Sequence, residues 1–276
     1  MAGGTGSVGD LLREWRHHRQ LSQLDLALQA EVSARHVSLV ETGKSRPSAE
    51  MVLRLASALD VPLRHRNRLL LAAGFAPRYQ ERDLEAPDMS SVREALVTIL
   101  RAHEPYPAVV MDRRWNVLMT NAGVELLQDG VDADLLHPRA NLVRLSLDPR
   151  GLAPRIGNIA DVRNMFRARL SRQLAEDADP EITDLYDTYV APHVDGSAAA
   201  PAGGEVVGAM TLQTPEQEVR LFSTVTTFCT PQDITLQEIA VELFYPADGR
   251  TAQVLASGAG GREMAGTLPG GGVAGP

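Results

Sequence analysis

The chain carries one cysteine, Cys229, in 276 residues. A single thiol excludes a disulfide framework and a zinc site built from cysteines. No apolar run approaches the roughly 18 residues needed to cross a bilayer, and no apolar segment of a secretion signal follows Met1-Ala2-Gly3-Gly4. The expectation is a cytoplasmic protein that does not enter the membrane. Catalytic signatures are absent too: there is no Gly-x-Ser-x-Gly elbow, no His-Glu-x-x-His and no Walker-type loop. His103, His137 and His193 are widely spaced, and His17-His18 has no third ligand at zinc spacing. Neither catalytic residues, nor a metal, nor a cofactor are expected. Gly3-Gly4-Thr5-Gly6 has no strand before it and reads as a loose terminus, not a phosphate loop.

What is present is 44% hydrophobic and 22% charged, a globular composition. The net charge of −8 speaks against a nucleic-acid partner until it is divided along the chain. Residues 1–80 hold eleven Arg and Lys against seven Asp and Glu, a balance of +4, which leaves −12 on residues 81–276. A small basic domain joined to a larger acidic one suggests a nucleic-acid binder with a separate regulatory half.

The first 76 residues predict five short helices. Val8, Leu11, Leu12 and Trp15 share one helical face. Ser22 starts a second helix, with Asp25 as capping-box partner, and Ser33 caps a third that stops at Gly43. Pro47-Ser48 opens a fourth, and Pro62 a fifth that ends at Gly74. Only Ala30, Glu31 and Val32 separate the second and third helices, the spacing of a helix-turn-helix. The third helix then turns Ala34, Arg35 and Ser38 outward with His36 at the edge, suited to base edges in a major groove. Gln23, Ser33, Lys44, Ser45 and Arg46 sit at helix starts or in the basic loop, where phosphates are held. A compact five-helix protein-interaction module is the competing reading.

Residues 77–90 are charged, carry two prolines and read as a linker. The regulatory half, 91–256, begins with a helix carrying Val92, Leu96, Ile99 and Leu100. Strands are expected at Ala108–Asp112 and Trp115–Thr120, followed by a helix from Asn121 to Gln128. Helical stripes follow at Ile159, Val162, Phe166, Leu170 and at Ile182, Leu185, Tyr186, Tyr189. Asp195–Gly204 is a flexible loop. Strands are expected again over Val207–Leu212, Val219–Phe228 and Ile239–Tyr245. Residues 257–276, rich in Gly and Ala, form a disordered tail. Two strands, helices, then three strands is the order of a PAS-type antiparallel sheet with helices on one face. The fold class is therefore an all-α domain followed by an α+β domain. Met111, Trp115, Met119, Phe166, Met210, Phe222 and Phe228 are candidates to line a small apolar ligand's site. Polar anchors for it come from Asn121, Asn141, Arg144 or Arg155, an Arg suiting a carboxylate.

The run SQLDLALQAEVSARHVSLVETGKSRPS resembles the phage-repressor (XRE) type of helix-turn-helix. That likeness implies a Glu41–Arg16 pair inside the domain. SARHVSLVETGKSRPS, VPLRHRNRLLLAAGFAPRY and HEPYPAVVMDRRWNVLMTNAG together resemble the MmyB-like transcription regulators of actinobacteria, over roughly residues 8–255. The resemblance implies a DNA-binding domain before a PAS-like domain that accepts fatty-acid-like ligands. A homodimer on a double-stranded operator is expected, since one recognition helix reads only a few base pairs. Two alternatives stay open for the second half: a module that only dimerises or binds a protein partner, and an enzyme, for which no catalytic constellation speaks.

Overall fold

The computed structural model describes residues 6–193, 208–214 and 217–260. Gly3 to Thr5, the Asp195–Gly204 loop and Val207 lie outside the described residues. The chain divides into two compact units, one of residues 1–90 with Phe228–Glu238, the other of 91–227 with 239–276.

The first unit contains α1 (Val8–His18), α2 (Gln23–Gln29), α3 (Ala34–Glu41), α4 (Ala49–Ala58) and α5 (Leu63–Ala72). Local chemistry sets the boundaries. Ser7, Ser22, Ser33 and Ser48 each accept a hydrogen bond from a backbone N–H in the first turn of the helix that follows, and Ser22 with Asp25 completes a capping box. Gly43 (φ +70°) and Gly74 (φ +86°) adopt the left-handed conformation past the ends of α3 and α5. Leu12, Leu26, Val37, Val40, Val52, Leu55 and Leu69 meet in a closed apolar core. Gly9 lets α1 approach the end of α3, for a Cβ there would meet the carbonyl oxygens of Val40 and Glu41 at 2.5 and 2.8 Å.

Residues 77–90 fold with this unit, and Leu84 and Met89 are buried. The segment Phe228–Glu238 packs on the same unit. Helix α5 begins at Pro62 without a side-chain cap of its own, and Gln237 supplies one, its Oε1 accepting from Leu63 N at 2.7 Å. Arg64 donates to both oxygens of Glu238 at 2.7 and 2.8 Å and also pairs with Glu81. Arg82 reaches Asp233 at 3.0 Å, and Thr235 Oγ1 donates to the Arg82 carbonyl at 2.6 Å. The expectation of a strand reaching Phe228 is thereby corrected. The strand ends at Thr226, Cys229 is exposed, and a short helix occupies Ile234–Glu238.

The second unit runs α6 (Ser90–Ala102), β1 (Ala108–Met111), β2 (Val117–Thr120), α7 (Glu125–Gln128), α8 (Ala133–Leu136), α9 (Leu142–Leu147), α10 (Ile159–Glu176), α11 (Pro180–Tyr189), β3 (Met210–Gln213) and β4 (Glu218–Thr226). After α12, the helix at Ile234–Glu238, come β5 (Ala240–Pro246) and α13 (Gly249–Gly260). The five strands form one antiparallel sheet in the order β2-β1-β5-β4-β3, a PAS-like α+β arrangement. Two sequence expectations change here. Trp115 sits in the turn before β2 with φ +67° instead of in the strand. The helix α13 runs on to Gly260, beyond the expected start of the tail at 257.

Candidate functional site

Each unit presents one site. In the first, α2 and α3 are joined through Glu31, whose φ of +54° makes the tight reversal. Val37 and Val40 anchor the inner face of α3, and Arg35 stands exposed on the outer one with Ser38 half-exposed. Lys44 and Arg46 are exposed in the loop beyond. These four form an outward polar and basic face.

The remaining expected contacts have structural duties. Gln23 directs its amide Nε2 to Glu41 Oε2 at 2.9 Å, so its side chain is spent inside the domain, at the start of α2. Ser33 Oγ accepts from His36 N at 3.1 Å as the cap of α3. The Nε2 of His36 is buried without a hydrogen-bond partner. Ala34 packs against the core, and Ser45 is half-buried with its N–H on Leu39 O at 3.0 Å.

Beneath this face Arg16 holds Glu41 in a fork, Nε to Oε1 at 2.7 Å and a terminal nitrogen to Oε2 at 2.9 Å. Burial alone pushes the Glu41 carboxyl up. Hydrogen bonds from Arg16 and Gln23, with the charges of Arg16 and Arg13, outweigh that and hold it below the usual carboxylate range.

The second unit encloses a cavity of about 500 Å³ between one face of the sheet and the helices α7, α9 and α10, within the range of small-molecule sites. Its floor comes from Val109, Leu221, Ser223, Glu242 and Phe244, and α10 contributes Asp161, Val162, Met165 and Phe166 to the cover. The wall is mostly apolar, with a few polar groups.

Of the expected lining residues, Phe166 and Met210 line this space. The others are placed elsewhere. Met111 is buried in the core. Trp115 stands behind Phe166, ring centroids 5.4 Å apart, and its Nε1 donates to Gln173 Oε1 at 2.8 Å. Met119 pairs with Val110 away from the cavity wall. Phe222 stacks on Tyr245 at 5.2 Å, since its neighbour Ser223 takes the cavity side of β4. Phe228 belongs to the first unit.

Among the polar anchors, Asn121 is buried in backbone service, accepting from Ala108 N and donating to Tyr106 O and Leu100 O. Asn141 caps α9, and Arg144 is exposed opposite Asp184. Arg155 binds the carbonyls of Gln213, Leu127 and Asp129. The lining that pattern reading overlooked includes Asn158, Asp161 and Glu242. One signal for it existed: Glu242 is the only charge in the apolar run Ile239–Tyr245.

Among the described residues, no group of three or more His, Cys, Asp or Glu side chains could hold a metal ion, and no helix is long and apolar enough to cross a membrane.

Residues 92–257 match the family described as the MmyB-like transcription regulator ligand binding domain, and residues 7–69 match a helix-turn-helix domain. No curated protein matches the chain. Among solved structures, the restriction-modification controller protein C.AhdI from Aeromonas hydrophila is 35% identical over 22% of this chain and 89% of its own, with a TM-score of 0.21. An RNA-binding light-oxygen-voltage receptor is 10% identical over 94% of this chain and 62% of its own, with a TM-score of 0.27.

Proposed function

The chain belongs to the MmyB-like transcription regulators, and we propose that it binds a double-stranded operator as a homodimer whose affinity a small apolar ligand adjusts. A helix-turn-helix joined to a ligand-binding domain is the architecture of a transcription regulator, not of an enzyme. Arg35 and Ser38 of α3 meet base edges, and Lys44 and Arg46 hold phosphates. The observation that carries the sensing half is the 500 Å³ cavity, whose wall is mostly apolar and suits a fatty-acid-like chain.

Sensing requires the ligand to favour one of two states. The cavity strands β4 and β5 carry Leu221, Ser223, Glu242 and Phe244, while the residues between these strands, Phe228–Glu238, fold with the DNA-binding unit. A change in strand position on ligand binding is therefore passed along one continuous stretch of backbone to Gln237 and Glu238, which hold the start of α5.

Native mass spectrometry of the purified full chain, followed by lipid analysis of what is released, tests this reading. A stoichiometric apolar molecule on a dimer is expected. A chain that carries none, binds no added acyl chain and keeps the same operator affinity throughout overturns the sensor and leaves a dimerising module.

A further inference from the structure

The polar floor of the cavity carries one carboxylate, Glu242, whose countercharge lies outside the cavity wall. Glu242 is 2% exposed and lines the cavity from the middle of β5. A buried carboxylate has about four acceptor positions and is costly unless they are filled. One is met by Ser223 Oγ, which donates to Oε1 at 2.7 Å. Arg169 supplies the countercharge only loosely, a single terminal nitrogen lying 3.4 and 3.3 Å from the two oxygens. That guanidinium is also held over the Trp115 ring, 4.2 Å from its centroid. Oε2 thus receives one long contact, and the acceptor set of this cavity-lining carboxylate is left incomplete.

The remaining charge on the wall has the same sign. Asp161 lines the cavity from the first turn of α10 and is exposed, and among the described residues no Lys, Arg or His lines it. Cations on the elements around it include Arg155, Arg163 and Arg169. Arg155 is tied to backbone carbonyls, though one of its terminal nitrogens is buried without a partner, as is Nε of Arg163. Neither residue forms part of the cavity wall. A free carboxylate entering this space would face Glu242 through a medium that screens charge poorly. A hydroxyl or ammonium group would instead complete the acceptor set of Glu242 with a charge-assisted hydrogen bond.

We propose that Glu242 selects the head group of the ligand, so that the cavity takes an alkyl chain ending in a hydrogen-bond donor, an alcohol or an amine, in preference to a free fatty acid. This rests on the cavity being the ligand site. It narrows the fatty-acid-like reading to the chain and replaces the carboxylate head.

Calorimetric titration of the full chain at pH 7 with decan-1-ol, decylamine and decanoate separates the possibilities, since the three share one chain length and differ in the head. The alcohol and the amine are expected to bind about tenfold or more tighter than decanoate, the ratio one charge-assisted hydrogen bond supplies. In Glu242→Gln the amine should lose that advantage and decanoate should gain affinity. Ser223→Ala, which leaves the charge in place, should keep the wild-type order and serves if Glu242→Gln does not fold. Decanoate binding as tightly as the other two, or tighter, overturns the head-group assignment while leaving the cavity as a chain-binding site. If decanoate alone weakens in Arg155→Gln, the anchor is Arg155 and Glu242 is not the selector. Failure of all three ligands to bind overturns the cavity reading itself, and the head-group assignment with it.

Discussion

Arg16 and Glu41 meet as a two-point fork, 2.7 and 2.9 Å, where the first helix crosses the end of the third. The Glu41 side chain is 1% exposed and that of Arg16 9%, and Arg16 also donates to the Leu21 carbonyl at 2.8 Å. The pair thus fixes α1, the turn before α2 and the C-terminus of α3 at one point. Removing one partner strands the other's charge in the interior, which costs about 3–5 kcal/mol. Arg16→Met is therefore expected to lower the thermal midpoint of the DNA-binding unit by well over 10 °C, at roughly 4–8 °C per kcal/mol for a unit of this size. A melt followed by circular dichroism checks it. A shift of only a degree or two would mean that Arg13 and Gln23 suffice for Glu41.

The same carboxylate makes the unit acid-sensitive. Its folded pKa lies below its unfolded value, so its contribution is fully present above the ordinary glutamate pKa of about 4.3 and is lost as the pH falls through the folded value. Stability of the wild-type unit should fall more steeply than that of Glu41→Gln as the pH drops below about 4.3. Midpoints of both proteins measured from pH 7 down to pH 3 decide the point. Parallel curves would assign the acid sensitivity to other carboxylates.

The fork illustrates which relationships sequence carries. Caps at Ser22, Ser33 and Ser48 were legible because each closes a bond within three residues of itself. The succession of strands and helices along the chain was legible from alternation and helical spacing, whereas the order β2-β1-β5-β4-β3 within the sheet comes from the structure. Side-chain roles that depend on distant partners were not. Gln23 looks like a phosphate contact until Glu41, 18 residues on, takes its amide. Alternation also misplaced the aromatics of β4: it does not show that the strand ends at Thr226, nor that Ser223 and not Phe222 takes the cavity side. Trp115 reads as a strand residue because no local pattern announces a turn at positive φ without glycine.

A cap supplied across 174 residues gives a further measurement. Gln237 Oε1 satisfies the first N–H of α5, and Arg64 beside it bridges Glu238 and Glu81, which raise its pKa through hydrogen bonds that outweigh its burial. Gln237→Ala should cost about 1 kcal/mol, the ordinary value of a lost N-cap. Hydrogen exchange should quicken at Leu63 and in the first turn of α5 while α2 and α3 stay protected. Unchanged exchange at Leu63 would show that the cap does not persist in solution.

The proposed division between base reading on the outward face of α3 and phosphate holding in the loop after it can be resolved by affinity data. Arg35→Ala should weaken the specific operator by about 1–3 kcal/mol and random DNA little, since a base-reading arginine contributes only where its base is present. Arg46→Ala should weaken both and lower the salt slope by about one unit, as the loss of one phosphate contact does. Titrations at several salt concentrations on both DNAs give all four numbers. Equal weakening by Arg35→Ala would move that residue to the backbone, and an unchanged slope would remove Arg46 from it.

The cavity can be closed without touching the DNA-binding unit. Met210 lines it from β3, where it pairs with Leu221, and is only half-buried, so a larger side chain there extends into the cavity. Met210→Trp fills volume that an alkyl chain would occupy, and overpacking there costs about 1–3 kcal/mol at most. Alkyl ligand binding should weaken by about tenfold or more, the equivalent of 1.4 kcal/mol of lost contact. The ligand-free operator affinity should stay as in the wild type, because α3 and its loop are untouched. Loss of operator binding in Met210→Trp without ligand would mean that filling the cavity itself sets the regulatory state. Undiminished alkyl binding would place the ligand elsewhere.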